Sequence, residues 1–114
     1  MRSNPLGVKQ FEVIEFASPE PEKLHELFRS LGFTAVAQHK DQPVTLYRQG
    51  DIDFMVNETP DSFASAFAAE HGPCCTGFGI RVDKPESAYE QVMARGAKDF
   101  DSDVDTLALD CPRI

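Results

Sequence analysis

Cysteine is scarce in this sequence, basic residues are in deficit, and no stretch stays apolar for long. Each shortage removes a class of protein. The three cysteines are an odd number, with Cys74 and Cys75 adjacent and Cys111 alone, unlike the even, spaced framework of a secreted disulfide-stapled domain. Reduced thiols are expected. No Cys-x-x-Cys spacing occurs, and two neighbouring thiolates do not easily share one tetrahedron, so the cysteines do not read as a zinc site. They read as small, partly buried side chains. Lys and Arg total 11 against 19 Asp and Glu, a formal net charge of -8, which repels nucleic acid phosphates and anionic lipid headgroups. Neither nucleic acid nor membrane is an expected partner. No apolar run approaches the roughly 20 residues of a membrane helix, and Met1-Arg2-Ser3-Asn4-Pro5 opens no apolar signal segment. The expectation is a soluble cytoplasmic protein. A glycine-rich phosphate loop, a nucleophile elbow and a Cys/His pair in recognisable local context are also missing.

What is present is enough for one ordinary domain with a real core: 114 residues, 41% hydrophobic and 26% charged. Phe11 to Ala17 mixes β-branched and aromatic residues with acids and reads as a strand. Ser18 is positioned to cap a helix whose first turn holds Pro19, Glu20, Pro21 and Glu22, because prolines and acids suit a helix start. Leu24, Leu27, Phe28 and Leu31 then give an amphipathic stripe, and Gly32 suits the left-handed exit. Residues 33–40, 44–49 and 52–58 read as three short strands separated by turn residues, so the order is βαβββ. Asp61 is placed to cap a second helix over residues 62–70, with Phe63, Ala66 and Phe67 on one face and Gly72-Pro73 as its stop. Residues 76–83 read as a strand, and Pro85 opens a helix carrying Ala88, Tyr89, Val92 and Met93 inward until Gly96. A short strand is expected near residues 98–102.

Shifting the sequence against itself by 64 positions exposes a weak repeat. Pro21 meets Pro85, Glu22 meets Glu86, Leu24 meets Ala88, Phe28 meets Val92 and Gly32 meets Gly96. Only 18 residues follow Gly96, too few for three strands of about 5 to 6 residues each with their turns. The expected organisation is a first βαβββ module over residues 1–60, a connecting helix over 61–73 and an incomplete second module over 74–114. The fold class is therefore α+β with paired modules, the second cut short.

Local chemistry is sparse. His25-Glu26-x-x-Arg29 misses the zinc-protease pattern because Arg29 stands where the second histidine should be, and the stretch reads as a solvated helix face. Asp99, Asp101, Asp103, Asp105 and Asp110 open like a calcium loop, but Val104 replaces the turn glycine and Asp110 the longer bidentate Glu. A solvated loop is expected there. His25, His39 and His71 have no ligand spacing, although a ferrous site needs two histidines and a carboxylate. His71-Gly72-Pro73 reads as a helix end and turn.

Asn4-Pro5-Leu6-Gly7, FEVIEFASP at Phe11 to Pro19, LGFT at Leu31 to Thr34, LYRQGDIDF at Leu46 to Phe54 and FAAEHGP at Phe67 to Pro73 resemble the N-terminal half of bacterial 4-hydroxyphenylpyruvate dioxygenases. That family belongs to the vicinal oxygen chelate superfamily, whose βαβββ modules pair into a curved half-barrel. The resemblance implies an enzyme that turns 4-hydroxyphenylpyruvate and oxygen into homogentisate and carbon dioxide, in tyrosine breakdown. It also implies Fe(II) held by two His and one Glu in a C-terminal catalytic domain, outside this chain. In metal-bearing modules of the superfamily a ligand lies on the first strand of each repeat, and those positions fall here on Val13 and Gly77. Neither side chain coordinates a metal. No residue is accordingly assigned as catalytic, cofactor-binding or metal-binding, and the chain alone is expected to be inactive. A C-terminal catalytic domain and further copies of the protein are the expected partners. The alternatives are a stand-alone glyoxalase-like binding protein with its site at a dimer interface, and the related module of a 3-dehydroshikimate dehydratase fusion.

Overall fold

A computed structural model of the chain describes residues 3–100 and 113–114. The elements in chain order are β1 (Val8–Ala17), α1 (Pro21–Ser30), β2 (Thr34–Gln38), β3 (Val44–Gln49), β4 (Ile52–Asn57), α2 (Phe63–His71), β5 (Cys74–Val82) and α3 (Pro85–Ala94). The strands form a single sheet in the order β2-β3-β4-β1-β5. β2, β3 and β4 are an antiparallel meander, whereas β1 lies parallel to β4, with Ile14 opposite Phe54 and Phe16 opposite Val56. A parallel neighbour requires a long crossover, which α1, β2 and β3 supply.

β5 joins the other edge of β1 in antiparallel register, with Phe11 opposite Ile80 and Glu15 opposite Gly77. Each of these two strands leads into a ten-residue helix beginning at a proline, Pro21 in α1 and Pro85 in α3. The pyrrolidine ring fixes φ for the first turn, and its missing N–H is no loss where no intrahelical partner exists. Both helices run out into a glycine of positive φ, Gly32 at 96° and Gly96 at 102°. A side chain is disfavoured in that conformation, and at Gly32 a Cβ would also sit 2.6 Å from the Gln49 amide nitrogen. Strand, helix and glycine exit thus recur at the spacing read from the sequence.

The core lies between α1 and one face of the sheet. Leu24, Phe28, Phe33, Tyr47 and Val56 are buried together, with Phe16 and Phe54 packed against them. Phe28 is its centre, with ring centroids 5.2 Å from both Phe16 and Phe54 and 5.7 Å from Tyr47. Such edge-on and tilted pairs add to the stabilisation that burial alone provides.

Several local expectations are corrected. α1 begins at Pro21 with Glu20 at its N-cap position and no side-chain cap; the Ser18 hydroxyl instead accepts the Glu20 N–H at 3.0 Å. Its buried face is Leu24, His25 and Phe28, while Leu27 and Leu31 are exposed, because the helix closes at Ser30 and turns its 24/25/28 side to the sheet. Ser62, not Asp61, caps α2, accepting the Ser65 N–H at 3.0 Å, and Asp61 takes a positive φ of 56° just before it. Ala64 and Ala68 form the buried side of α2 against Ala17 and Cys74, leaving Phe63 and Ala66 exposed. Small side chains let this helix come close to β1, which phenylalanines would prevent. Residues 98–100 form no strand, and the rest of that expected element lies outside the described residues. Among the described residues no helix is long and apolar enough to cross a membrane.

Candidate functional site

On β1 and β5, the two strands that the resemblance marks for metal ligands, Val13 lies opposite Gly79 and Gly77 opposite Glu15. Close to these positions, the Glu15 carboxylate bridges the two strands. The Thr76 hydroxyl donates to its Oε1 at 2.6 Å and the Asn57 amide to its Oε2 at 3.3 Å, while Asn57 Oδ1 accepts the Thr59 N–H at 3.0 Å. Glu15 thereby ties β1 to β5 and to the end of β4. Both of its oxygens are engaged by neutral donors, as a half-buried carboxylate requires.

A second polar node lies on the helix side of the sheet and was not legible locally. His25 is 7% exposed and Tyr47 0% exposed. The imidazole Nδ1 is 2.6 Å from the Tyr47 hydroxyl, and Nε2 is 3.0 Å from Glu58 Oε2. With a neutral imidazole beside an ionised carboxylate, Nε2–H donates to Glu58 and Nδ1 accepts from the tyrosine hydroxyl. The solvated face expected for His25 is corrected, since α1 turns this residue inward beside Leu24 and Phe28. Its partners come from β3 and from the residue after β4, 22 and 33 positions away, so no local motif announces them. The one signal in the sequence is that position 25 lies three residues before Phe28, within reach of the same face.

The three histidines do not assemble. Among the described residues, the one group of metal-ligating side chains is Glu22, His25 and Glu58, whose ligand atoms lie within 4.8 Å of one another, and it holds a single histidine. His39 Nδ1 accepts the N–H groups of Asp41 and Gln42 at 3.1 and 3.2 Å, organising a turn. His71 packs against Phe67 with ring centroids 4.3 Å apart and the rings tilted by 41°. Two histidines and a carboxylate converging on an open position are therefore not found among the described residues, and Val13 on β1 and Gly77 on β5 offer no ligand atoms. These residues do not fit an Fe(II) centre of that type.

Two ion pairs link neighbouring strands as forks. Arg48 grips Asp53 across the β3–β4 hairpin with two bonds of 2.7 and 3.1 Å. The bonding to the guanidinium holds the Asp53 carboxyl below its usual range. Arg81 and Glu12 make the same kind of fork between β5 and β1, at 2.6 Å for both bonds. Cys74 is half-buried and Cys75 exposed, both as free thiols; burial first, and the adjacent Cys75 second, push the Cys74 thiol up. Of the acidic run, Asp99 accepts from the Tyr89 hydroxyl at 2.6 Å. Asp101, Asp103, Asp105 and Asp110, like Cys111, lie outside the described residues.

A family model described as hydroxyphenylpyruvate dioxygenase, N-terminal, matches residues 2–114. The chain belongs to that N-terminal domain family. A 4-hydroxyphenylpyruvate dioxygenase from Pseudomonas sp. (strain P.J. 874) is 43% identical over 111 residues, which cover 97% of this chain and 31% of the relative. A 3-dehydroshikimate dehydratase of Pseudomonas aeruginosa is 34% identical over 91 residues, covering 78% of this chain and 14% of that protein. Among solved structures, a xylose isomerase-like TIM barrel/4-hydroxyphenylpyruvate dioxygenase fusion protein superposes with a TM-score of 0.78 at 29% identity, covering 96% of this chain and 18% of the other. The α+β vicinal oxygen chelate fold expected of the family is therefore the one observed. The chain spans about a third of the length of the dioxygenase relative.

Proposed function

We propose that this chain is the non-catalytic N-terminal domain of an Fe(II)-dependent 4-hydroxyphenylpyruvate dioxygenase, with residues 1–60 as the first module, 61–73 as the connector and 74–114 as the start of the second. The observation that carries the reading is the pair Val13 and Gly77. The resemblance assigns to Val13 on β1 and Gly77 on the neighbouring β5 the positions where metal-bearing modules of this fold hold ligands, and neither side chain has a ligand atom. The iron belongs to a C-terminal region of the same polypeptide. That half carries the conversion of 4-hydroxyphenylpyruvate and oxygen to homogentisate and carbon dioxide, a step of tyrosine breakdown in the cytoplasm.

On this reading the domain contributes shape. Phe11 and Phe78 stack edge-on at 5.5 Å while each stays more than 60% exposed. With Val8 and Ile80, which are also exposed, they make an apolar surface on β1 and β5. Contiguous exposed apolar area of this kind marks an interaction surface, and a sheet edge with no partner strand among the described residues, as at β5, is a liability that proteins usually cover. The rest of the polypeptide is the occupant this reading gives to both, and further copies of the protein complete a homo-oligomer. The test is oxygen uptake by the 114-residue chain supplied with Fe(II) and 4-hydroxyphenylpyruvate. No uptake above the protein-free control is expected; turnover by the isolated chain would overturn the assignment.

A further inference from the structure

The buried node at His25 has more ligating capacity than a structural hydrogen bond needs. Glu22 and His25 stand three residues apart on α1, adjacent on one helix face, and Glu58 approaches from the end of β4. Their ligand atoms already lie within 4.8 Å of one another, and His25 Nε2 and Glu58 Oε2 are 3.0 Å apart. Ligands bound to Zn(II) at about 2.0 to 2.2 Å in a tetrahedron are separated by about 3.3 to 3.6 Å, so this pair needs to open by only a few tenths of an ångström. Glu22 is exposed to solvent.

We propose that Glu22, His25 and Glu58 form a divalent-metal site for Zn(II) or a cation of similar ligand preference, separate from any iron centre of the catalytic half. Nitrogen and carboxylate oxygen are the donors that such borderline cations accept. The fourth position faces the solvent side of Glu22 and is filled by water. In the metal-bound form the neutral imidazole carries its one ring proton on Nδ1. Nδ1–H then donates to the Tyr47 oxygen, which fixes the tautomer and the ring orientation in the way outer-shell partners do at metal-binding histidines. The metal-free form is the reverse tautomer, donating from Nε2 to Glu58. Tyr47 on β3 is thus a positioning residue for the metal.

The experiment is metal-binding stoichiometry on the native protein that carries this chain, by equilibrium dialysis against Zn(II) and by visible absorption with Co(II) as the probe. Wild type is compared with Glu22→Gln, His25→Gln and Tyr47→Phe. Wild type should bind one equivalent more than His25→Gln, with a Co(II) absorption band that His25→Gln lacks. Because Glu22 is exposed, Glu22→Gln keeps the metal-free fold, read from an unchanged circular dichroism spectrum and melting temperature, and should bind at least about tenfold more weakly. Tyr47→Phe should weaken binding by about 10-fold to 100-fold. Equal binding by wild type and Glu22→Gln, or retention of the band in His25→Gln, overturns the proposal. The readout is independent of dioxygenase activity, so its failure leaves the assignment of the domain untouched.

Discussion

Replacing Tyr47 by Phe removes one oxygen from a side chain that is 0% exposed and leaves the aromatic ring, and therefore the core volume, in place. The lost bond is the 2.6 Å contact to His25 Nδ1. Two costs follow: a net hydrogen bond contributes about 1 kcal/mol, and a buried polar atom left without a partner costs about 1 to 3 kcal/mol. The imidazole has no simple escape. Its other nitrogen is held by Glu58 at 3.0 Å and its body lies under α1, so rotation exchanges one broken contact for another. A loss of about 2 kcal/mol is expected, against about 5 to 15 kcal/mol for a whole domain. In urea, with a slope of about 2 kcal/mol/M, this lowers the unfolding midpoint by about 1 M without changing the slope. Pairing the variant with His25→Leu in a double-mutant cycle should show a coupling of at least about 1 kcal/mol. A midpoint shift under about 0.2 M, or strictly additive single effects, would refute the claim that Tyr47 and His25 are joined in a buried network.

Phe28→Ala empties the centre of the aromatic cluster and should cost about 3 to 5 kcal/mol, enough to broaden or abolish the thermal transition; a loss below about 1 kcal/mol would mean that Phe16, Tyr47 and Phe54 do not converge on this ring. Asp53→Asn breaks the fork to Arg48 while keeping the shape. Because the folded carboxyl lies below its unfolded value of 3.8, the pairing stabilises above about that pH and is lost as pH falls through the folded value. Wild type should therefore be the more stable at pH 7, and the two melting curves should merge in strong acid; a gap that widens in acid would contradict the sign. With an alkylating reagent at neutral pH, peptide mapping should find Cys75 modified well before Cys74, whose thiol is half-buried and held protonated; the reverse order would contradict that placement.

The parts of the fold set by local physics were readable. Pro21 and Pro85 at helix starts, Gly32 and Gly96 at their exits, and the βαβββ order all depend on backbone restrictions carried by single residues. Which face of a short helix is buried depends on neighbours far along the chain. The leucine-rich stripe of α1 therefore misled at Leu27 and Leu31, and Phe63 and Phe67 promised a buried face on α2 that Ala64 and Ala68 supply instead. The His25 node was invisible for the same reason: the adjacent Glu26 and Arg29 supplied a familiar pattern, while the true partners are Tyr47 on β3 and Glu58 just after β4. Val13 and Gly77 were legible only through family resemblance, because a valine and a glycine on strands announce nothing by themselves.

The most direct test of the central claim is to isolate the native gene product from its source cells with an antibody to this chain, weigh it intact and assay it for homogentisate. A single polypeptide about three times the 12.7 kDa of this chain, as its 31% share of the dioxygenase relative implies, that forms homogentisate from 4-hydroxyphenylpyruvate with Fe(II) is the predicted result. A product of 12.7 kDa that turns over a substrate unaided would contradict it and would move the chemistry into this chain or onto the interface between its copies.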